Sequence, residues 1–314
     1  MRRAGLTATL IALLSVLLLA ISCGSSEQQG TITVSGAWAL YPMMVRWADE
    51  YAKLHPGIKF DVSAGGAGKG MADALAGVVD IGMVSRAVTP EEEQRGAFWV
   101  PVAKDAVFLT VNASNPVWED LHRRGVTRDT LIGIYITGKV TNWGQVVERP
   151  EVTDPIHVFT RSDAAGAPET WAKYLGKTQE DLLGVRVYGD PGLLDAVVKD
   201  RLGIGYNNLG FVFDPGTGQP VAGARVVPLD VNANGQADPE ELCDSRAQAQ
   251  QAVALGHYPS PPARDENLVT KGKPQGVIKA FIVWILTDGQ KYLDEAGYIG
   301  LPKETLEAAL NKLN

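Results

Sequence analysis

Residues 31–84 read TITVSGAWALYPMMVRWADEYAKLHPGIKFDVSAGGAGKGMADALAGVVDIGMV, and their pattern decides the fold. Thr31–Ser35 is β-branched and reads as a buried first strand. Pro42 opens a helix running to about His55, with Val45, Trp47 and Tyr51 among its apolar positions; proline is favoured at a first helical position. Pro56-Gly57 stops that helix. Ile58–Val62 alternates as a second strand. Ala64–Gly70 is a glycine-rich turn into a helix at Met71–Gly77, and Val78–Val84 is a third strand. Strand, helix, strand, helix, strand is the signature of a parallel sheet with crossover helices.

Working outward, the same alternation returns. Ala106–Val111 is an apolar strand ending at Asn112–Pro116. A second α/β region follows, with a helix near Thr127–Ile134, a strand at Ile156–Thr160, a helix at Pro168–Leu175 and a strand at Leu202–Tyr206. Gly216–Gly218 marks a turn, and Pro259, Pro261 and Pro262 break the chain. Asn267–Thr270 reads as a short strand and Val277–Thr287 as an apolar helix.

Toward the N-terminus the chain changes character. Arg2 and Arg3 precede an uncharged, apolar run from Ala4 to Ser22, which ends at Cys23. This is the pattern of a secretory signal peptide, residues 1–22. A membrane span is the rival on length, but Ala20-Ile21-Ser22-Cys23 looks like a bacterial lipobox, in which the Cys23 thiol is lipidated. Residues 23–30 then read as a polar tether. The 314-residue chain carries a net charge of −7, and losing the two arginines of the signal makes the remainder −9. That suits a soluble protein and argues against nucleic acid, whose phosphates need basic patches. With Cys23 lipidated, Cys243 is alone and forms no internal disulfide; it reads as a small core residue. The histidines His55, His122, His157 and His257 show no spacing that pairs a base with a nucleophile.

Several segments, in order, resemble the phosphate-binding proteins of ABC importers. They are Ser35-Gly36-Ala37-Trp38-Ala39-Leu40-Tyr41-Pro42, Gly65–Gly70 (GGAGKG), Val79–Arg86 (VDIGMVSR), Ile136–Trp143 (ITGKVTNW), Thr160-Arg161-Ser162-Asp163, Gly203-Ile204-Gly205-Tyr206 and Leu268–Pro274 (LVTKGKP). The resemblance implies an α/β, two-lobed periplasmic-binding-protein type II fold, each lobe a central sheet flanked by helices. Lobe one would hold residues 31–109 and 264–314, lobe two residues 110–263, with two hinge crossings near 109–115 and 263–270. The implied function is that of a substrate-binding lipoprotein, a monomer working with an ABC permease in the membrane, with no enzymatic activity and no organic cofactor.

The resemblance also places a ligand between the lobes. Turns at Trp38, Ala39 and Leu40, at Ala67 and Gly68, and at Ala165, Gly166 and Ala167 would offer helix N-termini to an anion. Gly65–Gly70 fits neither a P-loop nor Gly-x-Gly-x-x-Gly. Arg161 matches the family arginine that forks onto the anion, and Asp163 the carboxylate that orients it. Ser85 and Arg86 stand after the third strand, where some members carry a carboxylate. The family usually adds Ser or Thr hydroxyls at the three turns; here Trp38, Ala67, Ala165 and Ala167 stand in those places. Arg86, Lys69, Ser63 and Ser85 are the candidate replacements. Without them the ligand would be another oxyanion, or the chain a sensing or scaffold lipoprotein that has lost tight phosphate binding.

One motif is independent of the family. Asp230, Asn232, Asn234, Gln236, Asp238 and Glu241 fall at positions 1, 3, 5, 7, 9 and 12 of a calcium loop at 230–241, with Gly235 at position 6. An Asx-rich surface turn is the alternative. Oxygen donors at these spacings suit Ca2+ in a structural role, tying down a loop of lobe two.

Overall fold

The computed structural model describes residues 29–314. The expected signal peptide, the lipidated Cys23 and all but the end of the 23–30 tether lie outside the described residues. No described helix is long and apolar enough to cross a membrane.

The expected alternation is present. Strands β1 (Gly30–Gly36), β2 (Ile58–Ala64) and β3 (Ile81–Val84) are joined by helices Tyr41–Leu54 and Ala67–Ala76. β1 lies parallel to both β2 and β3. Later come β4 (Ala97–Asn112), β5 (Val126–Thr127), β6 (His157–Arg161), β7 (Val185–Val187), β8 (Gly203–Asn208), β9 (Ala224–Val226), β10 (Leu229–Asp230) and β11 (Ala263–Lys271). The main sheet runs β2-β1-β3-β11-β4-β8-β6-β7, with β9 also on β4.

β4 explains why two lobes share one sheet. It is 16 residues long, and the sequence reading caught only its second part. Ala97–Ala106 pairs with β11, whereas Val107–Val111 pairs with β8. The hydrophobic core changes along this strand. Val100, Val102 and Ala103 belong to the first core, with Trp47, Met83 and Phe281. Ala106 to Leu109 and Val111 belong to the second, with Trp143, Trp171 and Tyr206. The crossing therefore falls between Ala103 and Ala106, upstream of the expected 109–115. β11 returns beside it as a nine-residue strand, more than twice the length read from the sequence. The β4–β11 register slips between Glu266 and Asn267, opposite Ala103 and Pro101. Proline has no N–H for the ladder, so a bulge belongs there.

Helix starts follow local chemistry. Asn142 accepts from the Gln145 N–H while the Gln145 side chain returns to the Asn142 N–H, a capping box inside the ITGKVTNW segment. Helices opening at the cleft lack side-chain caps: Leu40, Gly66 and Ala165 make none. Cys243 is buried in the second core, and burial pushes its thiol up to about 12. It is a core residue, as read.

Candidate functional site

Three uncapped helix starts converge between the lobes. The first is the turn at Ala37–Leu40. Ala37 N–H donates to Met83 O (2.9 Å), and the Tyr298 hydroxyl donates to Ala39 O. Gly36 has φ +136°, and a Cβ there would lie 2.3 Å from Met83 O, so only glycine lets this turn sit against β3. Leu40 N–H is spent on Ala37 O, whereas the Trp38 and Ala39 N–H groups meet no acceptor among the described residues. The second start is Ala67, whose N–H is likewise unengaged; Gly68 N–H crosses the cleft to Ala164 O (3.2 Å). The third is the helix Gly166–Tyr174. Ala165 N–H donates to Gln179 Oε1 (3.3 Å), Pro168 has none, and Gly166 and Ala167 N–H are free among the described residues. Orphan N–H groups at helix starts carry about half a positive charge per helix.

Arg161 ends β6 and is fully buried. Its Nε donates to Asp163 Oδ1 (2.8 Å), Nη2 to Asp163 Oδ2 (2.5 Å) and Nη1 to Asp190 Oδ2 (2.6 Å). Of the five N–H bonds in a guanidinium, one on each terminal nitrogen is left over, available to the oxygens of an anion. Burial opposes the charge, but Asp190 and Asp163 outweigh it and hold the group above its ordinary value.

The sequence reading missed Asp190. It opens the helix Gly189–Lys199, in a stretch left unassigned, and only the Gly189-Asp190-Pro191 start signalled it. Asp190 Oδ1 also accepts Asn208 N–H (3.3 Å). Asn208 Oδ1 accepts from Arg264, whose Nε donates to Ser85 O (3.2 Å). One hydrogen-bonded chain thus joins Arg161 in lobe two, through the hinge, to Ser85 in lobe one.

Ser85 supplies a hydroxyl. The residue is buried and its Oγ makes no hydrogen bond among the described residues. A Cβ on Gly166 would lie 1.9 Å from that Oγ and 2.3 Å from Ser85 O. The hydroxyl therefore rests against the third helix start. Gly166→Ala is expected to prop the lobes apart, enlarging the radius of gyration in X-ray scattering and weakening anion binding at least tenfold.

The other candidate replacements are engaged elsewhere. Lys69 pairs with Asp73, and Ser63 Oγ donates to Val34 O (3.4 Å). Arg86 binds Glu92 through both terminal nitrogens (2.9 and 2.6 Å) and reaches Glu169 of lobe two through Nε (3.0 Å). It is a tie across the closed cleft. Trp38 closes the same cleft in a T-shaped, edge-to-face contact with Tyr188, ring centroids 6.1 Å apart.

The 230–241 loop is a separate site. Asp230 is buried; its Oδ1 accepts from Asn234 N (3.1 Å) and Oδ2 from Gly235 N (2.9 Å). Asn232 Oδ1 accepts from Asn234 N and Asn234 Oδ1 from Gln236 N. Glu241 turns inward onto Val231 N (2.8 Å) and Asp238 N (3.0 Å). Burial raises its pKa, with Asp230 and Asp238 adding to the effect. Among the described residues no three His, Cys, Asp or Glu side chains form a metal cluster by themselves. A cation here would need the asparagine amides and the Gln236 carbonyl as well.

Comparison with known proteins agrees with this architecture. The chain is 27% identical to the phosphate-binding protein PstS of Methanocaldococcus jannaschii, covering 92% of this chain and 88% of that protein. It is 25% identical to the PstS of Bacillus subtilis, covering 88% and 82%. A crystal structure from Clostridium perfringens, described as a phosphate ABC transporter substrate-binding protein with bound phosphate, superposes with a TM-score of 0.71 at 25% identity, covering 87% of this chain and all of that one. The phosphate transport receptor of Vibrio cholerae shares the fold, with a TM-score of 0.62 at 24% identity and coverage of 86% and 100%. A family model described as the PBP superfamily domain matches residues 22–288, and the chain belongs to that superfamily.

Proposed function

We propose that this chain is the substrate-binding protein of a phosphate ABC importer, holding inorganic phosphate between its lobes. The observation that carries this reading is the Arg161 guanidinium, buried and braced by Asp163 and Asp190, with two N–H bonds left to present. Around it stand the free N–H groups of Trp38, Ala39, Ala67, Gly166 and Ala167 and the Ser85 hydroxyl. A buried anion held by neutral dipoles and one shielded cation needs no net positive site. Binding favours the closed arrangement, and the permease reads that arrangement, a ligand-shifted two-state equilibrium. Lipidation at Cys23 would keep the protein at the membrane surface as an extracytoplasmic monomer. The test is calorimetric titration of the phosphate-stripped protein with phosphate, and with sulfate in parallel. Micromolar or tighter phosphate binding supports the reading. A response to sulfate alone points to another oxyanion, and silence with both points to a sensing or scaffold lipoprotein.

The 230–241 loop is proposed to hold one structural Ca2+. Two carboxylates already sit buried on backbone N–H groups, so much of the ordering cost is met before a cation arrives. Calcium at about 1 mM is expected to raise Tm by a few degrees through mass action. Glu241→Gln should remove that shift, and an equal shift with magnesium would mean general screening instead.

A further inference from the structure

We propose that the Trp38 indole N–H is the side-chain donor to the bound anion in the first turn, taking the place of a hydroxyl. This rests on the anion-binding reading of the cleft. Trp38 Nε1 is buried and has no hydrogen-bond partner among the described residues. Buried donors are nearly always paired, so an orphan calls for an explanation. Trp171 and Trp284 also carry orphan indole N–H groups, but each belongs to a hydrophobic core. Trp38 does not. It sits in the Ala37–Leu40 turn, with its ring against Tyr188 and Gly189 of the opposite lobe.

The neighbours fix where the ring lies. Indole Cε2 and Cζ2 lie 3.3 and 3.4 Å from where a Gly189 Cβ would stand. Gly189 N–H donates to Asp163 Oδ1 (3.1 Å), and that oxygen also accepts from Arg161 Nε (2.8 Å). The indole therefore packs on the start of the Gly189–Lys199 helix, whose Gly189 N–H helps to brace Asp163 beside Arg161. Asp163 Oδ1 already accepts two hydrogen bonds, and the orphan indole N–H is open to an oxyanion that enters the cleft. Indole is a donor only. It can hold an anion oxygen but cannot accept from a protonated one, so Trp38 does not itself select protonated species. The ring also meets Tyr188 edge to face and Tyr41 at a tilt, with centroids 6.1 and 6.4 Å away. A donor held this way loses little freedom when the anion arrives.

Trp38→Phe keeps an aromatic ring against Tyr188 and deletes the N–H. Phosphate titration of Trp38→Phe is expected to show affinity reduced about 10- to 100-fold, the range for a hydrogen bond to a charged group. In nitrogen-15 spectra of the wild-type protein, the indole resonance absent from the variant should move downfield on phosphate addition and exchange more slowly. That measurement does not depend on the variant folding well. Unchanged affinity in Trp38→Phe, or an indole resonance that phosphate leaves in place, would overturn the assignment while the function stands. A wild-type protein that binds neither phosphate nor sulfate would overturn both.

Discussion

Replacing Arg161 with alanine should abolish phosphate binding and cost about 3–5 kcal/mol of stability, because it strands two buried carboxylates. Asp163 and Asp190 are almost wholly shielded from solvent, and both depend on the guanidinium for charge compensation. Asp163 retains Gly189 N–H and Asp190 retains Asn208 N–H, one neutral donor each. Those bonds do not offset a full buried charge. Because the alanine variant can fail to fold, Arg161→Lys is the sharper probe. It keeps the charge but presents a point rather than a fork, so it cannot brace two carboxylates and an anion together. The expected result is a folded protein with phosphate affinity at least 100-fold lower, read by calorimetry alongside urea denaturation at pH 7. A lysine variant that folds and binds as tightly as wild type would make Arg161 a structural ion pair and remove the central support for the proposed function.

What the sequence made legible is governed by how local the signals are. The β-branched first strand and the proline-started helix act within a few residues and lie where expected, whereas the helix after Gly65-Gly66 starts at Ala67, four residues before the expected Met71. The length of β4 was not legible, because Pro101 interrupts the strand pattern and only pairing with β11 carries it through. Arg161 and Asp163 are two residues apart and could be read together. Asp190 pairs with Arg161 across 29 residues, and no local pattern records such a contact. Arg86 shows the same limit in reverse. Its charge beside Ser85 suggested a ligand, but partners six residues away and on the other lobe claim it. The missing turn hydroxyls were visible from sequence; the orphan indole that stands in one of those places needed coordinates.

The second large effect concerns pH, and it also hides in long-range contacts. Glu266 lies on β11 at the hinge, fully buried, and neither carboxyl oxygen has a hydrogen-bond partner among the described residues. Arg264 comes within 3.5 Å of it but also faces Asp105 at 3.4 Å. Burial drives Glu266 up to about 8; Arg264 pulls down, while Asp105, Asp190 and Asp265 push further up. Burial likewise lifts Asp105 to about 6, and the Tyr298 hydroxyl nearby stays neutral, held well above its ordinary value. One cation among these carboxyls leaves room for a proton, and Glu266 is the group that holds it. The folded form then binds a proton that the unfolded chain, titrating near 4.5, has released. Stability from this site is therefore intact below about pH 4.5 and is lost as pH rises toward 8. At 1.36 kcal/mol per unit the full penalty approaches about 5 kcal/mol, and relaxation of the hinge should reduce it to about 3. Glu266→Gln keeps the shape and cannot ionise. It should match wild type near pH 5 and exceed it by about 3 kcal/mol at pH 8.5 in urea denaturation. Parallel stability curves for the two proteins across that range would mean that Glu266 is ionised in the folded state and that Arg264 serves it rather than Asp105.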